Sequence, residues 1–190
     1  DCGPANTTAS NNTGVGADAI HDNTTGTENT AVGKAALYKN TTASYNTAVG
    51  NESLYDNTTG SQNTAVGWKA LTENTTASYN TAFGCEALKV NVTGASNTAV
   101  GRNALGANLA NNNTGVGAYS LGSNTTGTDN VAVGKDSMQD SSTGSSNTAI
   151  GYNALADNTT ADNNVAVGYK ALRLNTTGTQ NNAFGRGALQ

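Results

Sequence analysis

The residues able to do chemistry are few: one histidine, two cysteines and thirteen carboxylates in 190 residues. His21 follows Ile20 and leads into Asn23-Thr-Thr, where a solvated turn residue fits better than a general base. Acid–base catalysis needs two groups held at one place, and a calcium ladder needs carboxylates recurring at one position. Glu52, Asp56, Glu73, Glu86 and Asp136 do neither, and Lys34, Lys69 and Arg102 are mixed among them as along a solvated edge. No catalytic residue, metal ligand set or cofactor is therefore expected. The chemistry that does recur is the acceptor Asn-x-Ser/Thr, at Asn6, Asn23, Asn40, Asn57, Asn74, Asn91, Asn124, Asn158 and Asn175, with Asn11, Asn51 and Asn112 also fitting. In a secreted eukaryotic chain these are candidate glycosylation sites. The alternative is that Asn and Thr simply suit a β-corner and stack as ladders.

The background is unusual. Asn, Thr, Ala and Gly make up 111 residues, and Leu, Ile, Val and Phe only 27. So small an apolar share rules out a conventional three-layer core and would ordinarily mark disorder. Disorder, however, is driven by high net charge, and this chain carries −4 with 12% charged residues and one proline. No run approaches the roughly 18 apolar residues of a membrane span, and the acidic balance lacks the basic footprint of a nucleic-acid partner. An ordered, repetitive protein remains.

The repeat is explicit. Gly16, Gly33, Gly50, Gly67, Gly84, Gly101, Gly117, Gly134, Gly151, Gly168 and Gly185 each close a phrase like Asn-Thr-Ala-Val-Gly. The spacing is 17 throughout except for 16 between Gly101 and Gly117, where Asn108-Leu109-Ala110-Asn111 lacks a residue. Residues 1-5 read as a lead-in and 6-190 as one β-solenoid repeat domain. Seventeen residues are too few for a helix pair, which needs roughly 33, and the apolar pieces have strand length between turn-forming clusters. The prediction is all-β: a parallel β-solenoid (β-roll or β-helix) of about eleven 17-residue coils. One strand is expected at 63–66 and a second at 69–72, with corners at Gly67 and 57–60. At about 4.8 Å per coil the rod is roughly 53 Å long. Cys2 and Cys85 then lie about five coils apart, beyond the roughly 7 Å Cα separation of a disulfide. They read as free thiols, with a bridge between subunits as the alternative.

Alternation puts Thr64 and Val66 on one strand face, Asn63 and Ala65 on the other. The Thr/Val face is expected inside, as an inward ladder of Val32, Val49, Val66, Phe83, Val100, Val133, Ile150, Val167 and Phe184. Leu37, Leu54, Leu71, Leu88, Leu105, Leu155 and Leu172, with Ile20 and Met138 as equivalents, complete it. The opposite face carries only small residues: Ala31, Ala48, Ala65, Ala82, Ala99, Ala132, Ala149, Ala166 and Ala183, with Gly14 and Gly115. A solvent-facing column has no reason to exclude large side chains, which makes this stripe the candidate interface with another chain. The alternative is that alanine lines a very tight interior. Burying about three apolar side chains per coil is little against the entropy of ordering seventeen residues, which also favours association.

The phrase Asn-Val-Ala-Val-Gly at 130–134 and 164–168 resembles the Ser-Val-Ala-Ile-Gly of the YadA-like head repeats of trimeric autotransporter adhesins. The longer unit at 147–155, followed by Asn158-Thr-Thr, is more similar still to the repeat stalks of phage and bacterial tail-fibre-like proteins. The resemblance covers essentially the whole chain and implies a trimeric left-handed β-roll serving as fibre, spacer or adhesin. The expected function is therefore a non-enzymatic extracellular structural protein, at a virion or cell surface, that forms a fibre by trimerisation or head-to-tail stacking. Asp1 in place of Met fits a processed or partial chain, and repeats reaching both ends leave strand edges open to stacking. Its expected partner is itself, with glycans or a cell-surface receptor as further partners, and neither nucleic acid nor membrane insertion. A second reading is ice binding: with alanine inside, Thr64 and Val66 would belong to a flat outward array, interrupted by Phe83, Asn182 and Phe184. A third adds carbohydrate binding to the fibre, with Trp68 and tyrosines such as Tyr38, Tyr45, Tyr55, Tyr79, Tyr119, Tyr152 and Tyr169 available to stack on sugars.

Overall fold

Thr and Val are stiff at Cβ and prefer extended backbone, and in most repeats they flank one small residue to make a short strand. The computed structural model describes residues 4, 5 and 8–190. It holds eleven three-residue strands: β1 (Thr13–Val15), β2 (Thr30–Val32), β3 (Thr47–Val49), β4 (Thr64–Val66), β5 (Thr81–Phe83), β6 (Thr98–Val100), β7 (Thr114–Val116), β8 (Val131–Val133), β9 (Thr148–Ile150), β10 (Val165–Val167) and β11 (Asn182–Phe184). They form one parallel sheet in chain order. Each strand pairs with the same residues one repeat on, as Thr30 with Thr47 and Val32 with Val49. The chain is a parallel β-solenoid. Its shortened repeat keeps register, Thr98 pairing with Thr114. The missing residue is absorbed at the corner: Asn108 Nδ2 donates to the carbonyl two residues on, at Ala110, where Asn91 reaches three residues on to Gly94.

The expected second strand is not formed. Lys69 and Leu71 both have φ of 54°, and the same left-handed pair recurs at Ala35 and Leu37 and at Glu52 and Leu54. Alternating strand geometry could not bury neighbours together, yet Ala70 and Leu71 are both fully buried. Left-handed backbone costs a residue such as leucine roughly 1–2 kcal/mol. Hydrogen bonding between coils continues through the turn and offsets it: Leu71 N–H donates to Ala87 O (2.9 Å), Glu73 N–H to Lys89 O (3.0 Å) and Lys69 N–H to Asn51 O (3.0 Å). The corner before it requires glycine. At Gly67 (φ +136°) a Cβ would lie 2.5 Å from the carbonyl oxygen of Gly84 in the next coil.

The interior reverses the expected faces of the strand. Ala31, Ala48, Ala65, Ala82, Ala99, Ala132, Ala149 and Ala166 are 0% exposed and Ala183 1%, packed with the leucines in one continuous core. The small-residue stripe is therefore a lining, and cannot be an interface between chains. The space is narrow: at Gly115 a Cβ would come 2.9 Å from Ser120 Oγ and 3.2 Å from Leu105 Cγ. The strand stands a methyl group's width from the opposite wall, which excludes valine and phenylalanine. Val32, Val49, Val66, Val100, Val133 and Val167 accordingly lie half-buried on the outer face, with Phe83, Ile150 and Phe184 exposed there. Leu37, Leu54, Leu71, Leu88, Leu105, Leu155 and Leu172 point inward as expected, as do Ile20 and Met138.

Candidate interaction surface

The corner asparagines hold the coils together. Asn23, Asn40, Asn57, Asn74, Asn91, Asn124 and Asn158 are all buried. Asn57 Nδ2 donates both to Gly60 O (2.8 Å) and to Oδ1 of Asn40 in the preceding coil (3.1 Å), and Asn74 does the same to Ala77 O (3.0 Å) and Asn57 Oδ1 (2.8 Å). A glycan would be attached at that same Nδ2 and would displace such bonds. These seven candidate glycosylation sites are thus structural in the folded rod. Asn175 is half-buried and donates to Gly178 O (2.8 Å); Asn6 lies outside the described residues. Of the remaining acceptors Asn11 and Asn112 are exposed and Asn51 half-buried.

A second buried column, not singled out from the sequence, runs beside the alanines. Asn46 N–H donates to Asn29 Oδ1 (2.9 Å) while Asn46 Nδ2 donates to Gly60 O (2.9 Å), and Asn63 and Asn80 repeat the pattern. Its signal was the presence of Asn immediately before the strand in every copy, on the face shared with alanine.

With alanine and asparagine inside, the outer face of the sheet shows two parallel rows. One is Thr, replaced by Val131, Val165 and Asn182; the other is Val, replaced by Phe83, Ile150 and Phe184. Among the described residues no strand contains a charged residue. Phe83 is 56% exposed and Phe184 69%, with Val15, Val131 and Ile150 exposed on the same face. Exposed apolar residues thus line one row of this face, the kind of surface whose contact with another molecule would remove apolar area from water.

Charged residues lie outside the strands, and among the described residues four Lys–carboxylate pairs form: Lys39 with Asp56 (2.7 Å), Lys89 with Glu86 (2.8 Å), Lys69 with Glu52 (3.3 Å) and Lys135 with Asp136 (3.3 Å). His21 shares a 2.7 Å hydrogen bond with Asp22 and stacks on Tyr38 (4.8 Å), which stacks on Tyr55 (5.1 Å). Its place is a structural edge. Desolvation, reinforced by the negative charge of Asp22, raises the Tyr38 phenol above 10.0, and the hydrogen bond from Lys39 to Asp56 raises that ammonium above 10.5. Cys85 is free and half-buried, and Cys2 lies outside the described residues. Among the described residues no group of three or more His, Cys, Asp or Glu is placed to hold a metal ion, and no helix is long and apolar enough to cross a membrane.

These features define a β-solenoid with a leucine, alanine and asparagine interior and an uncharged outer sheet face of Thr and Val rows. No family model, curated protein or solved structure matches the chain.

Proposed function

We propose that this chain is a non-enzymatic structural rod that assembles with copies of itself into a fibre, using the outer Thr/Val face of the sheet as its contact. The observation that carries the reading is the uncharged strip running from β1 to β11, with Phe83 and Phe184 standing out from it. Packing a second copy on that face removes exposed phenylalanine and valine from water at roughly 25 cal/mol per Å². The unit at 147–155, similar to tail-fibre stalk repeats, supports placing such a fibre at a virion or cell surface. Asn11 and Asn112 are the acceptors open to N-linked sugar if the host attaches it. Sedimentation of the chain, alone and as Val66→Glu/Val100→Glu, tests the assembly. Multiples of the 19.0 kDa mass that collapse to monomer in the variant, with unchanged circular dichroism, are expected. A wild-type chain that stays monomeric at high concentration overturns the reading.

A second reading is ice binding, which the zero-offset Thr column of β1 to β7 favours: seven hydroxyls stand in register, one coil apart. Phe83 breaks the flatness of that array beside Thr81, and for this reason the reading ranks second. Thermal hysteresis from the monomeric chain would place ice ahead of the fibre; none is expected.

A further inference from the structure

One long edge of the rod changes character along its length. It is built from the two residues after each corner glycine. In the first five coils its charges alternate, as at Asp18, Lys34, Glu52, Lys69 and Glu86. From the sixth coil on, Arg102, Lys135, Lys170 and Arg186 stand against the single carboxylate Asp136, in a chain whose net charge is −4.

Aromatic rings hold these cations in a row. Lys135 Nζ lies 5.8 Å from the centroid of Tyr152, which stacks on Tyr169 at 5.5 Å. Lys170 Nζ and Arg186 Cζ lie over Tyr169 at 5.1 Å and 5.5 Å, and Arg102 Cζ over Tyr119 at 5.5 Å. The backbone beneath is locked coil to coil, with Lys170 N–H donating to Tyr152 O (2.9 Å) and Gly187 N–H to Tyr169 O (2.9 Å). The row is therefore ordered before any ligand arrives, which lowers the entropy lost on binding. The other tyrosine stack, at Tyr38 and Tyr55, also carries a cation over a ring, Lys39, but there Asp56 neutralises it at 2.7 Å. Among the described residues Arg102, Lys170 and Arg186 make no ion pair.

We propose that this half-edge binds an acidic polysaccharide, carboxylated or sulfated, laid along the rod with its anionic groups on Arg102, Lys170 and Arg186, Lys135 being held by Asp136 at 3.3 Å. The row spans five coil steps, about 24 Å, more than a single small anion can bridge. Neutral sugars would need open ring faces, whereas the faces of Tyr152 and Tyr169 are taken by each other and by the cations. The same closure disfavours single-stranded nucleic acid, which stacks bases on free rings. A duplex needs a broader basic footprint than one edge of an acidic rod.

The test is titration of the full chain with dextran sulfate, a polyuronate, neutral dextran, inorganic sulfate and duplex DNA over a range of salt. Binding of dextran sulfate or polyuronate that weakens with salt is expected, and which of the two binds identifies the anionic group. Lys170→Gln/Arg186→Gln should weaken it by about tenfold or more, while Lys39→Gln leaves it unchanged and all variants keep the wild-type circular dichroism. Four results overturn the proposal: no binding of either polyanion, equal binding of neutral dextran, tighter binding of DNA, or a double variant that binds like wild type. Inorganic sulfate that competes as well as the polymer, chain unit for ion, also overturns it by reducing the edge to a single-ion site.

Discussion

At the scale of the residue, the stability of the rod rests on side chains that reach one coil back, and one place shows what happens when such a side chain is too short. In the corner column Ser141 stands where ten other coils of the same phrase favour asparagine. Asn124 Oδ1, Ser141 Oγ and Asn158 Oδ1 are buried there without a partner, three consecutive members of one column. Serine cannot supply the Nδ2 that Asn74, for example, gives to Asn57 at 2.8 Å. Ser141→Asn supplies the missing donor to Asn124 Oδ1 and gives Asn158 Nδ2 an acceptor one coil back, in a space that the same side chain fills in neighbouring coils; Asn158 Oδ1 stays unpartnered, because its donor would be Asn175 Nδ2, which goes to Gly178 O. The expected gain is about 1–2 kcal/mol, read as a rise of a few degrees in Tm. An unchanged or lower Tm would mean that the corner at 141 has closed around serine. The reverse change, Asn57→Ala, is expected to cost about 1–3 kcal/mol by leaving buried partners unsatisfied.

At the scale of the element, period, strand position and leucine column were legible in the sequence, and the facing of the strand was not. Thr64 and Val66 do share a face, as alternation requires, but hydrophobicity alone places valine inside and asparagine outside. Two facts overrule it. The coil is too thin for anything above a methyl group opposite the leucines, and Asn46 and Asn63 are buried without penalty because each polar group finds a partner one coil away. Coil width is set by the left-handed turn at Lys69 and Leu71, which no local propensity announces. Ala99→Leu should therefore unfold or grossly destabilise the chain, by about 3 kcal/mol or more, while Val66→Thr stays within about 0.5 kcal/mol. Chemical denaturation of the two variants separates the facings: equal costs would contradict the inward alanine. The tyrosine edge adds a pH dependence. Tyr38 and Lys39 both titrate higher folded than unfolded, so their contribution is complete below the ordinary values near 10 and is lost as pH rises through the folded ones. Tm of the wild type is expected to fall more than that of Tyr38→Phe/Lys39→Gln between about pH 9 and about pH 11; parallel curves would remove these groups from the balance.

At the scale of the whole molecule, each coil touches only its neighbours, so distant parts of the rod act independently. The apolar sheet face and the basic half-edge lie on different sides of the corner glycines, and the two proposed contacts must then be separable. Val66→Glu/Val100→Glu is expected to release monomers whose affinity for dextran sulfate in solution stays within about twofold of the assembled chain, counted per chain. On a surface bearing the immobilised polymer the outcome differs. A fibre sets many half-edges side by side, and rebinding within one assembly raises apparent affinity by about 100-fold or more without any new contact. The wild-type chain should dissociate far more slowly than the monomeric variant, while Lys170→Gln/Arg186→Gln still sediments as the assembly and washes off quickly. If the sheet-face variant lost binding in solution as well, face and edge would be one site, and the rod would be a ligand-binding surface along its sheet rather than a fibre that carries its ligand at the rim.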